Sequence, residues 1–198
     1  MARIPAYIAI VALLTVAASC QKGPEDPVFS VVSRKGRLAG NWSVDTMYLQ
    51  QGNAKSWISG DSLYVSIDDS LMETFGTEWK YVFQRDGGYE FTIVEHHPEQ
   101  MGEMPYTRNF KEEGFWEFTG GNSAPAKSKL ALFAEQITES RSDQGSNVEV
   151  TAFQDPATAV VFDLIKLSNT ELIMHRKTVI STAFGSDTTE HYLMCSKQ

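Results

Sequence analysis

Cysteine is nearly absent: two residues in 198, too few for a disulfide-built scaffold or a four-thiolate zinc site. Positive charge is scarce too. Seventeen Lys and Arg stand against 25 Asp and Glu, a formal net charge of −8. That balance argues against a general nucleic-acid binder, which would need a basic patch to displace counterions from phosphate. No apolar run reaches the ~20 residues that cross a bilayer as a helix. There is no internal repeat, no low-complexity stretch and no long run of like charge. The sequence holds no Gly-x-Ser-x-Gly elbow, no phosphate-binding loop and no dinucleotide fingerprint, so nothing in it points to an enzyme or to a cofactor. What is present, 42% hydrophobic and 11% aromatic residues, suffices for a packed core, and the length suits one domain.

The chain opens MARIPAYIAIVALLTVAASC. One cation, Arg3, heads a run from Ile8 to Ala18 that is apolar apart from Thr15. This run has the length of a secretory h-region. Ala17, Ala18 and Ser19 then precede Cys20, which resembles the lipobox of bacterial lipoproteins, with Ala17 where that family usually has Leu. Such signals are cut before the cysteine, and its sulfur receives a diacylglycerol. The resemblance implies a leader over 1–19, a lipid anchor at Cys20, and attachment to the outer membrane of a bacterial cell envelope, on its periplasmic face or at the cell surface. The plainer reading is a secretory signal cut after Ala18. Acyl chains would hold the protein at the membrane without a spanning helix, and Cys195 would be left as a lone thiol. Residues 20–37 read as a flexible tether, since Gln21–Val28 (QKGPEDPV) is polar and broken by prolines.

From Leu38 on, short β-branched and aromatic segments alternate with turn signals. Candidate strands are Trp42–Leu49, Leu63–Ile67, Trp79–Gln84, Tyr89–Glu95, Tyr106–Lys111, Phe115–Thr119, Lys129–Ile137, Val160–Leu167, Leu172–Ile180 and Thr188–Cys195, with Asn147–Ala152 as an irregular eleventh. Asp69–Thr74 could form one helical turn. A three-residue loop, Asp86-Gly87-Gly88, would pair Phe83 with Phe91 and Tyr81 with Ile93, which keeps large apolar groups on one face. A four-residue loop, Ser168–Glu171, would pair Leu167 with Leu172, Ile165 with Met174 and Asp163 with Arg176. Ten or so sequential strands point to an all-β antiparallel meander of about 8–10 strands that closes as a barrel or folds as a sandwich.

Gly40-Asn41-Trp42 opens the first strand. Together with Gly114-Phe115-Trp116 running into Gly120-Gly121, and the Leu167–Leu172 hairpin, it resembles lipocalins and lipocalin-like bacterial lipoproteins over residues 38–198. In that family the Trp plugs the closed end of the barrel under a late basic residue. The resemblance therefore implies that Gly40 and Trp42 close the barrel, with Arg176 or Lys197 over the ring. It also implies a small apolar or amphipathic ligand held in the mouth. The Thr-Asp-Tyr motif of the central family and its disulfide are missing.

Other candidates are fewer. His96-His97 lie before Pro98 in what reads as a loop, and consecutive strand residues point to opposite faces, so no metal site follows. Asp68-Asp69 and Glu112-Glu113 read as turn charges. Trp57 and Ile58 fall in a polar segment, Gly52–Asp61, that reads as a long first loop and a possible lid. Asp163 and Arg176, if paired inside the barrel, could hold a polar head group. The expected function is a non-catalytic, lipid-anchored binding module. The competing expectation is a structural or interaction lipoprotein with a side-chain-filled barrel that meets another envelope protein.

Overall fold

The computed structural model describes residues 32–99, 104–120, 128–144, 148–153, 159–182 and 185–198. The leader, Cys20 and the tether up to residue 31 lie outside them. A short helix, α1 (Arg34–Leu38), precedes eleven strands: β1 (Gly40–Gln51), β2 (Ala54–Ser59), β3 (Ser62–Ile67), β4 (Ser70–Phe83), β5 (Gly88–His97), β6 (Tyr106–Thr119), β7 (Lys129–Arg141), β8 (Val148–Ala152), β9 (Val160–Leu167), β10 (Glu171–Thr182) and β11 (Gly185–Lys197).

Every pairing is antiparallel, and ten strands close into a barrel through β6–β7, β7–β9 and β1–β11, with β8 added on β7. The expected all-β meander barrel is therefore the fold. The ring narrows toward one end. Over Gly40–Ser43, β1 pairs directly with Lys80–Phe83 of β4, so β2 and β3 drop out there. At the other end β2 and β3 enter the ring, and β8 replaces β9 beside β7. Among the described residues, β10 pairs from Arg176 onward with β11 alone.

Alternation assigns the faces. Trp42, Val44 and Met47 of β1 are buried, as are Leu172 and Met174 of β10 and Leu193 and Cys195 of β11. With Phe83, Tyr81, Tyr89, Trp116, Leu130, Leu132, Phe162 and Leu164 they form one core cluster. The step from Val44 to Met47 is odd, and a bulge at Asp45 absorbs the extra residue. Gly114 sits at another bulge. A Cβ there would lie 2.0 Å from the Phe133 carbonyl oxygen, so only glycine fits.

Several local expectations are corrected. Asp69–Thr74 is not helical: Asp68 and Asp69 take positive φ (50° and 60°) in the two-residue β3–β4 turn, a conformation aspartate tolerates. The polar segment Gly52–Asp61 contains strand β2 rather than a loop. Its inward positions near the open end, Ala54 and Ser56, are small and polar, so hydrophobic alternation fails there. Tyr106–Lys111 and Phe115–Thr119 are one strand, β6. The β4–β5 loop is Arg85-Asp86-Gly87, closed by Gln84 N donating to the Gly88 carbonyl at 2.8 Å. Phe83 then faces Tyr89 and Tyr81 faces Phe91, a shift of two residues that preserves the apolar face. In β9–β10 the Leu167–Leu172 pair forms as expected. An irregularity after Ile173 then sets His175, not Arg176, against Asp163. The end of the expected tether is also ordered: Arg34–Leu38 is helical, with Leu38 fully buried.

Candidate functional site

The narrow end is closed by its own side chains. Trp42 is fully buried, and its Nε1 donates to the Leu38 carbonyl at 2.7 Å. Lys197, not Arg176, lies over the ring, 5.0 Å from its centroid. Lys197 Nζ donates to the carbonyls of Arg37 and Ala39 at 2.8 and 2.7 Å, securing the end of α1. Burial, and then the charge of Arg85, hold the Lys197 ammonium below its usual range. Gly40 has φ +135°, and a Cβ there would come within 2.6 Å of the Lys197 side chain. The Gly-x-Trp pattern thus has a physical basis: glycine makes room for the lysine that covers the tryptophan. Arg34 and Lys35 of α1 lie over the rings of Phe118 and Trp116, each at 5.6 Å.

The wide end is polar. One wall is built from inward positions of β4 to β7. Glu95 is only 7% exposed. The ring of His97 stacks between Phe75 (4.1 Å) and Tyr106 (4.5 Å). Its Nδ1 is 3.4 Å from Glu73 Oε1 and its Nε2 is 3.3 Å from Glu95 Oε2. Arg108 bridges Glu95 at 3.3 Å and Glu139 at 3.1 Å. Burial pulls the Arg108 guanidinium down, but the two carboxylates outweigh it and hold its pKa above the usual range. Arg141 lies 3.8 Å over Tyr106 and pairs with Asp143 at 2.8 Å. A cleft of about 710 Å³ opens here, lined by Arg108, Glu139, Ser140, Arg141, Gln144, Val148 and Glu149. That volume lies within the range of small-molecule sites.

The opposite wall is β10 and β11. Arg176 pairs directly with His191, and both fall on the inward register of the buried Met174 and Leu193. His191 meets Phe162 edge-on at 5.7 Å. Burial, then the charge of Arg176, lower its pKa to about 4, so the ring is neutral near pH 7. Burial likewise pushes the Cys195 thiol up to about 12, which makes it a packing residue rather than a nucleophile.

The residues singled out from sequence separate. Gly40 and Trp42 meet at the closed end. Ile58 is in the core. Trp57 lies on β2, on the outer face, stacked on Tyr64 at 5.3 Å, so neither residue forms an overhanging lid. Asp163 pairs with Lys129 at 2.9 Å, away from the inward face that carries Arg176. His96 and His97 belong to β5, with only His97 inward. Glu112 faces inward and accepts from the Tyr89 hydroxyl at 2.6 Å, whereas Glu113 pairs with Lys111. Sequence reading did not find Glu73, Glu95, Arg108, Glu139, Arg141 and His191 as one end of a barrel. Extending the β5 alternation two residues, from Glu95 to His97, would have found part of it. Among the described residues no three His, Cys, Asp or Glu side chains gather as metal ligands. Comparison with protein-family models, with curated proteins and with solved structures finds no match to this chain.

Proposed function

We propose that the chain is a lipid-anchored, lipocalin-like protein of a bacterial cell envelope, and that it binds a small amphipathic ligand at the wide end of its barrel without transforming it. The observation that carries this reading is the polar cleft of about 710 Å³ at the rim of β6, β7 and β8. The barrel's core cluster shares no residue with its lining. A ligand there meets Arg108, Glu139 and Arg141, so it must offer polar groups. The antiparallel barrel, the buried Trp42 under Lys197, and the signal-like leader ending at Cys20 support the family and the anchor. Native mass spectrometry of the full-length chain carrying Cys20→Ala tests the binding reading. A co-purifying small molecule, released by Arg108→Glu, is expected, and a chain that carries and takes up nothing would overturn it. Fatty-acid labelling of wild type, lost in Cys20→Ala, tests the anchor.

A second reading has its own observation. β8 is an edge strand, exposed along its length, and Val148 and Val150 are each 55% exposed. Among the described residues β8 pairs only with β7, and an edge of this kind is a template for pairing with another chain. On this reading the barrel displays a surface to an envelope protein and takes no small molecule. Crosslinking through Val150→Cys in whole cells would capture that partner.

A further inference from the structure

Three inward-facing arginines of the wide end differ in their company. Arg108 holds two carboxylates and Arg141 holds Asp143. Arg176 has neither. Its Nε donates to Thr178 Oγ1 at 3.2 Å, and among the described residues no carboxylate pairs with the rest of its guanidinium. A guanidinium carries five N–H donors, so four remain for another acceptor. Directly across the β10–β11 ladder stands His191, and opposed antiparallel residues hold their Cβ atoms about 5 Å apart. The His191 Nε2 is buried and has no hydrogen-bond partner. A half-buried cation with no counter-ion and a buried ring nitrogen with no partner both carry a desolvation cost. One ligand group would relieve both costs.

We propose that Arg176 and His191 form a subsite for the oxyanion of a small ligand, a carboxylate or a phosphate group. The planar guanidinium offers two parallel N–H groups to a pair of oxygens, and the neutral imidazole supplies one further donor without adding charge. Below the pair, Met174, Leu193 and Phe162 are buried and close the interior. The rest of the ligand therefore extends upward, past Thr178 and Thr189, toward the mouth. This inference rests on the binding reading above and names the chemistry of that ligand's polar group.

The test uses the full-length chain carrying Cys20→Ala, labelled with ¹⁵N-histidine and titrated with sodium acetate or inorganic phosphate at constant ionic strength. The His191 ring resonances are expected to shift saturably with at least one anion. Its titration midpoint should rise with the anion bound, because the Arg176 charge is then neutralised. Acetate preference assigns a carboxylate ligand, and phosphate preference assigns a phosphoryl group. Arg176→Gln should weaken the response ~10-fold or more, the scale of one charge-assisted pair lost. Arg176→Lys, which keeps the charge and the fold but loses the fork, should fall between. A linear shift shared with chloride overturns the subsite, as does an unchanged response in Arg176→Gln. If acetate or phosphate saturates but no larger molecule co-purifies or is taken up, the subsite stands and the reading of an amphipathic ligand at the mouth falls. If a ligand co-purifies and Arg176→Gln retains it, the reverse holds.

Discussion

The two ends of this barrel draw on different sets of strands and solve opposite problems. At the narrow end β1 bypasses β2 and β3 to reach β4, the radius shrinks, and Trp42, Leu38 and Lys197 fill what is left. At the wide end the extra strands enlarge the ring, and the inward positions become Glu73, Glu95, His97, Arg108, Glu139, Arg176 and His191. Strand count sets the radius of a barrel, and a radius that side chains no longer fill admits water. Charged groups are tolerated inside only where water or a partner meets them. The change from apolar to charged interior therefore follows the change in ring size. The packed apolar groups reside at one end and the charged groups at the other.

The sharpest test of that division is Trp42→Ala, which should cost about 3–5 kcal/mol, as for a large buried aromatic. Trp57→Ala, on the outer face, should cost well under half as much. Urea unfolding followed by circular dichroism would compare them, and equal losses would break the contrast. Next in size is a pH effect from the wide end. His191 stays neutral in the fold to about pH 4, whereas the unfolded chain takes up its proton below its usual pKa of 6.5. The stability is present above pH 6.5 and drains as pH falls, by about 3 kcal/mol at pH 4. Thermal melts should show His191→Gln losing less stability than wild type between pH 6.5 and 4, and parallel curves would refute the assignment. Lys197→Met removes the donor to the Arg37 and Ala39 carbonyls and should cost about 1–3 kcal/mol. Its unfolding midpoint, set against that of Arg108→Met, asks whether a single lysine at the closed end outweighs an arginine network at the open one. Smallest is Lys129→Ala. Its pair with Asp163 is 39% and 49% exposed, and about 0.5 kcal/mol or less is expected in a double-mutant cycle.

The closed end was legible in the sequence because its signals are local and apolar. Gly40 two residues before Trp42, and alternation through Phe83, Phe91, Leu172 and Met174, name a face without knowledge of partners. The open end was not, because its residues become meaningful only through register. His97 looks like a loop residue beside Pro98 until β5 is seen to run through it. Arg176 looks like the partner of Asp163 until one irregularity after Ile173 moves it opposite no acid at all. Hairpin loops one residue out of place had the same consequence at Gly87, although the apolar face survived because the slip was even. Strand β2 was missed since its inward side near the rim is Ala54 and Ser56, where a wet interior exerts no apolar selection.

Helix α1 fixes more than a plug. It brings the preceding chain out beside Trp42, at the narrow end. Cys20 and Val32 are twelve residues apart in sequence, a reach of at most about 40 Å. With Cys20 acylated, as proposed above, the leash leaves from the pole opposite the cleft. An anchor attached on that side would leave the charged rim the part of the barrel farthest from its point of attachment.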